Sequence, residues 1–170
     1  MERILILGCG GSGKSTLSNL VGEKLGLPVV HLDRLWWKEG WVERTTEEFD
    51  ALLRQELQKE AWVIDGNYAR TLPLRLPACD TVFFLDYSRR VCLWSTLKRT
   101  AANWGRPRAD MPEGCPDQLD PIFLKSIWDF KRHVRPDIYR QLEGCGKDIH
   151  VFRSRRECTE FLKHMEKADG

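Results

Sequence analysis

The chain has 170 residues, of which 42% are hydrophobic and 31% charged, and a formal net charge of +2. Such a balance suits a folded domain with a sizeable core and excludes wholesale disorder, a collagen-like fibre and a minimal disulfide scaffold. With 27 basic against 25 acidic residues, composition gives no case for a polyanion binder, and no apolar run approaches the ~18 residues that cross a bilayer.

The first strand is expected at Arg3 to Leu7, a short apolar run that ends in glycines. Its apolar character stops at Lys14, so no export signal is expected. A helical stripe follows in Leu17, Leu20, Val21 and Leu25, closed by Gly26. Pro28 to Leu32 reads as a second strand. Thr45 with Glu48 three positions on is a capping-box signal, and Phe49, Leu52, Leu53 and Leu57 then share one helix face. Trp62-Val63-Ile64 and Thr81 to Leu85 read as the third and fourth strands, ending at Asp65 and Asp86. A helix is expected from about Ser88 to about Asn103.

From Trp104 to Pro121 the alternation breaks, with four prolines and Gly105 and Gly114. This stretch reads as a lid of low regularity. Helical pattern resumes from Ile122 to Leu142, interrupted near Pro136. Asp148 to Phe152 is the fifth strand, and Cys158, Phe161, Leu162 and Met165 mark a final helix. The expectation is a single α/β domain over residues 1–170, a five-stranded parallel sheet between two helical layers. Ligands in such sheets sit beyond the carboxyl ends of the strands. Cys9, Cys79, Cys92, Cys115, Cys145 and Cys158 form no C-x-x-C pair and gather no histidines. They read as reduced thiols of a cytoplasmic protein, with no zinc site.

The strongest motif is Gly8-Cys9-Gly10-Gly11-Ser12-Gly13-Lys14-Ser15, a full G-x-x-x-x-G-K-[ST] between a strand and a helix. Its glycines turn the backbone so that successive N–H groups face a phosphate, and the helix N-terminus favours the same anion. Gly8, Gly10, Gly11, Ser12, Gly13, Lys14, Ser15 and Thr16 are therefore the candidate nucleotide-binding residues. Lys14 would neutralise the β- and γ-phosphates, and Ser15 would offer a hydroxyl to Mg²⁺. No N-K-x-D pattern for guanine is present, so ATP with Mg²⁺ is the default donor.

In five segments the chain resembles a known group. These are Ile6 to Thr16, His31-Leu32-Asp33, Gly40-Trp41-Val42, Trp62 to Tyr68 and Gly114-Cys115-Pro116. They are similar to the adenylate-kinase-like branch of small P-loop kinases, and more closely to the FlaR-like group called DNA topology modulation proteins. The resemblance implies a nucleoside-monophosphate-kinase-like fold with an acceptor region at about 33–60 and a lid at about 104–121. It implies that Asp65 supports Mg²⁺ through water, that Arg70 grips an acceptor phosphate, and that Arg99 is a lid arginine near the donor phosphates. Ser95 stands where that branch carries an adenine-stacking arginine.

Asp33, Arg34, Trp37 and Arg70 are the candidates for acceptor contact. Asp33 is either the residue that binds an acceptor hydroxyl and takes its proton, as in alcohol kinases, or a helix cap. One of Trp36, Trp37 and Trp41 is expected to face the acceptor, with core packing as the alternative reading of each. Arg132 and Arg135 join Arg99 as cations that could meet charge on a transferring phosphoryl group. Arg155 and Arg156 could border the donor base. The reading is an ATP- and Mg²⁺-dependent kinase of a small, nucleotide-like acceptor. Its alternatives are a kinase of a sugar or hydroxy acid, and a nucleotide-binding regulator linked to DNA topology. Near-neutral charge and the lack of a DNA-reading module argue against direct DNA binding.

Overall fold

The computed structural model describes residues 1–106 and 111–168, the last three by backbone alone. Five parallel strands form the main sheet: β1 (Arg3–Gly8), β2 (Val29–His31), β5 (Trp62–Asp65), β6 (Thr81–Leu85) and β7 (Asp148–Phe152), in the order β2-β5-β1-β6-β7. Ile4, Leu5, Ile6 and Leu7 are fully buried, as are Val63, Ile64, Val82, Phe83 and Phe84. Strands apolar on both faces need cover on both, and helices supply it in a three-layer α/β/α arrangement. The chain builds first toward β2, then crosses past β1 to β6 and β7. The carboxyl end of β1, flanked by β5 and β6, is thus where the winding changes direction, the usual place for a ligand.

Helix α1 (Lys14–Leu25) leaves the glycine loop and packs on β1, β2 and β5. Gly22 permits that approach, since a Cβ there would run into the Val29 side chain. α2 (Leu32–Trp36) follows β2 without a break and leads to a small antiparallel pair, β3 (Trp37–Lys38) and β4 (Val42–Glu43). α3 (Thr46–Leu57) begins with the expected capping box: Glu48 N donates to Thr45 Oγ1, and Thr45 N donates to the Glu48 carboxylate. The helical pattern of 122–142 divides into α6 (Pro121–His133) and α7 (Arg135–Leu142), with the break at Val134, just ahead of Pro136. α5 (Arg89–Ala102) precedes the lid segment, and α8 (Arg155–Ala168) closes the chain.

Three features differ from the sequence reading. Leu32 starts a helix instead of ending a strand. The β3–β4 hairpin lies in the region at about 33–60 that was expected to bind the acceptor. α4 (Leu72–Ala78) forms despite two prolines: Pro73 sits in the first turn, where its missing N–H costs nothing, and Pro77 in the last. Between α5 and α6 no regular helix forms among the described residues. The base of this segment is pinned by a bridge between Trp104 and Asp117, with Gly105 N donating to Asp117 O and Asp117 N to Arg106 O. Pro107 and Arg108, part of the expected lid, lie outside the described residues.

Candidate active site

The glycine loop joins β1 to α1. Gly11 (φ 73°) is in the left-handed region, and a Cβ there would strike the Thr96 hydroxyl and the Cys92 carbonyl of α5. A Cβ on Gly10 would come within 2.7 Å of Phe123 on α6. The loop is therefore clamped from behind by two helices. Gly13 (φ 97°) is the N-cap of α1, with no side-chain cap and no acidic residue in the first turn. The first-turn N–H groups are thus left to an external anion. Lys14 Nζ folds back to donate to the carbonyls of Gly8 (2.9 Å) and Cys9 (3.0 Å). Ser12 Oγ is buried without a hydrogen-bond partner among the described residues. Thr16, expected beside these residues, stands in the first turn of α1.

Asp65 ends β5, opposite His31 of β2 and Ile6 of β1 in the sheet register. It is 4% exposed, and its Oδ2 receives both Ser18 Oγ (2.7 Å) and His31 Nδ1 (3.0 Å). Ser18 also approaches the Ser15 carbonyl, one turn back. This is a set of hard oxygen donors, a hydroxyl at Ser15 and a carboxylate at Asp65, and it fits Mg²⁺ held mainly by phosphates and water. No cluster of three or more acidic, histidine or cysteine side chains that could hold a metal unaided occurs among the described residues.

In the region expected to bind the acceptor, Asp33 lies in the first turn of α2, and its Oδ1 accepts from the Tyr68 hydroxyl at 2.8 Å. The Tyr68 ring packs against Phe49 (5.1 Å) and Trp36 (6.0 Å). Burial first, and then the Asp33 charge, push the Tyr68 phenol well above its ordinary range, so it stays a donor. Trp36 is thus a packing residue. Trp37 and Trp41 meet edge to face across the hairpin (5.3 Å). Trp41 has φ 62°, and its Nε1 is buried without a partner among the described residues. Cys115 of the lid segment is fully buried; it accepts from Trp41 N and donates to Lys38 O. The Gly40-Trp41-Val42 and Gly114-Cys115-Pro116 blocks therefore meet, the expected lid against the hairpin.

Arg70, Arg99, Arg135, Arg155 and Arg156 carry partners. Arg70 makes a two-pronged bond to Asp50 of α3 (2.7 and 3.0 Å), which raises its own pKa and holds Asp50 below the usual carboxylate range. Arg99 reaches Asp117 of the lid base at 3.0 Å. Arg135 grips Asp86, at the end of β6, through Nε and an NH2 group, and the Tyr139 hydroxyl donates to the same carboxylate. Arg155 donates to Ser95 Oγ at 2.6 Å, so a guanidinium does lie beside Ser95, supplied by α8. Arg34 and Arg132 are exposed, and Arg156 pairs with Glu160 along α8.

Sequence reasoning did not single out Ser18, His31 as a partner of Asp65, Tyr68 as a partner of Asp33, or Arg75. The last is fully buried. Its position in the run Leu72-Pro73-Leu74-Arg75-Leu76 was the available signal, since a charge within a largely apolar stretch needs partners when it is buried. All six cysteines are free thiols and five are buried. A hydrogen bond to Cys92, followed by burial, raises the pKa of the loop thiol Cys9 and keeps it neutral.

Sheet order, glycine loop and helix together define the three-layer P-loop fold. Solved structures of that fold superpose along the whole chain. A shikimate kinase from Acinetobacter baumannii in complex with shikimate is 17% identical, covers 99% of this chain and 94% of its own, and has a TM-score of 0.59. A gluconokinase from Sinorhizobium meliloti 1021 is 18% identical, with coverages of 98% and 94% and a TM-score of 0.54. A shikimate kinase from Bacteroides thetaiotaomicron is 14% identical, with coverages of 98% and 97% and a TM-score of 0.52. At these identities the likeness is one of fold. No family model matches the chain. No curated protein matches it in sequence.

Proposed function

We propose that this chain is an ATP- and Mg²⁺-dependent phosphotransferase whose acceptor is the hydroxyl group of a small molecule. The observation that carries the reading is the pairing pattern of the acceptor region. Asp33, beyond the sheet, is oriented by Tyr68, whereas Arg70, the residue that would hold an acceptor phosphate, is bound to Asp50. An alcohol needs a base in the transition state; a nucleotide phosphate is already nucleophilic and needs a cation instead. The names of the structural neighbours, gluconokinase and shikimate kinase, point the same way, toward hydroxyl-bearing acids. Arg34, exposed one residue after Asp33, would meet a carboxylate of such an acceptor.

In this reading the loop N–H groups and Lys14 hold the β- and γ-phosphates. Lys14 exchanges the Gly8 and Cys9 carbonyls for phosphate oxygens. Asp33 takes the acceptor proton as the hydroxyl oxygen attacks the γ-phosphorus and the ADP oxygen leaves. Mg²⁺, held by Ser15 with Asp65 behind it, would neutralise charge on the phosphates. Arg99 or Arg135, after leaving its present carboxylate, and Arg132, already exposed, would serve the same charge. The test is ADP release from MgATP over a panel of hydroxy acids, polyols, nucleosides and nucleoside monophosphates. Turnover with a hydroxy acid or polyol supports the reading. Turnover confined to nucleoside monophosphates restores the nucleotide-like acceptor, and ATP binding with sequence-selective DNA binding in place of turnover favours a regulator.

A further inference from the structure

Arg75 lies in α4, fully buried, and among the described residues it is hydrogen-bonded to no carboxylate. Its guanidinium is spent on one segment. Nε donates to Thr71 Oγ1 (3.1 Å), one NH2 group to Gly66 O (3.0 Å), and the other to Asn67 O (2.7 Å) and Tyr68 O (3.3 Å). The same Tyr68 carbonyl also accepts from Thr71 N and Thr71 Oγ1. Burying an unpaired guanidinium is costly, and a strained backbone persists only where its surroundings over-determine it. Tyr68 is such a residue, with φ 21° and ψ 64°. From this held segment two side chains reach two different elements. Asn67 Oδ1 accepts from Gly8 N at 3.2 Å, at the entrance to the glycine loop. Tyr68 donates to Asp33.

We infer that Arg75 is a positioning residue that couples the two substrate sites. It fixes residues 66–68 so that Asn67 sets the entry of the donor loop and Tyr68 sets the acceptor aspartate. The coupling rests on the phosphotransferase reading above, but its donor half does not depend on which acceptor is used. Removing one link then affects one site, and disturbing the hub affects both.

The experiment is MgADP calorimetry on Arg75→Lys, Asn67→Ala, their double variant and Tyr68→Phe, each with a urea unfolding curve. Arg75→Lys and Asn67→Ala should each weaken MgADP about tenfold, the size of one well-placed hydrogen bond. The double variant should bind no worse than the weaker single one. Tyr68→Phe should bind MgADP within about twofold of wild type, yet lose turnover at saturating MgATP with the best acceptor of the panel. A residue that served stability alone would lower the urea midpoint and leave MgADP affinity unchanged. That result in folded Arg75→Lys, or losses that multiply in the double variant, overturns the inference. If Arg75→Lys does not fold, Asn67→Ala decides: wild-type affinity overturns the inference, and a tenfold loss at an unchanged midpoint supports it. A wild-type protein that fails to bind MgADP removes the proposed function and the coupling together, whereas MgADP binding without any acceptor leaves the donor half decisive.

Discussion

Lys14 spans the loop that it belongs to, bonded to two of its own carbonyls. Lys14→Ala should therefore leave the unfolding midpoint close to wild type while lowering turnover by about 10²–10³-fold, as for a lost charge-stabilising donor. Steady-state kinetics beside urea curves checks both halves. Arg70 behaves differently, because its bond to Asp50 lies on the surface, with the arginine about half exposed. Arg70→Ala should cost at most about 1 kcal/mol at pH 7, after screening by solvent. Asp50 has a folded pKa held down by the Arg70 bond. Its stabilisation is full above the ordinary carboxylate pKa and is lost as pH falls through the lowered value. Wild type and Arg70→Ala should thus differ in urea stability at pH 7 and converge well below pH ~4. The residues of the glycine loop were legible because each is demanded by phosphate geometry. Ser18, His31, Tyr68 and Arg75 were not, because their roles are partnerships across 34 to 47 residues or with scattered backbone carbonyls, which carry no local pattern.

At the scale of elements, the five strands were readable as apolar runs, and α3 was readable from its cap. Thr45→Ala removes that cap and should cost about 1 kcal/mol, with a range of about 0.5–2. Chemical denaturation should show the loss, and MgADP affinity should stay unchanged, since α3 contributes no residue to the loop. The β3–β4 hairpin was invisible because strands of two residues are too short to show a period. Its turn runs through Gly40 and Trp41, both at positive φ, and only the first is a residue type that signals this. α4 was hidden by its prolines, which mark breaks in general and are tolerated here at the two ends of a single short helix. The Trp62 to Tyr68 block, which carried much of the family resemblance, contains both the strand that ends at Asp65 and the segment that Arg75 holds.

For the whole molecule, the near balance of charge conceals a local order. Arg70, Arg99 and Arg135 are each matched to a carboxylate of the protein itself, at Asp50, Asp117 and Asp86. The segment expected to act as a lid is seated on the β3–β4 hairpin through Cys115, and Arg99 holds its base at Asp117. The sheet brings Asp33, Asp65, Asp86 and the glycine loop to one rim, and the chemistry of that rim depends on which carboxylate faces the acceptor. The most direct measurement is steady-state kinetics of Asp33→Asn and Arg70→Ala with the acceptor that the panel returns. Asp33→Asn should lower kcat by about 10²–10⁴-fold, as for loss of a general base, while Arg70→Ala should leave kcat and acceptor KM within about twofold of wild type. A small kcat change for Asp33→Asn, together with a large rise in acceptor KM for Arg70→Ala, would contradict the hydroxyl-acceptor account.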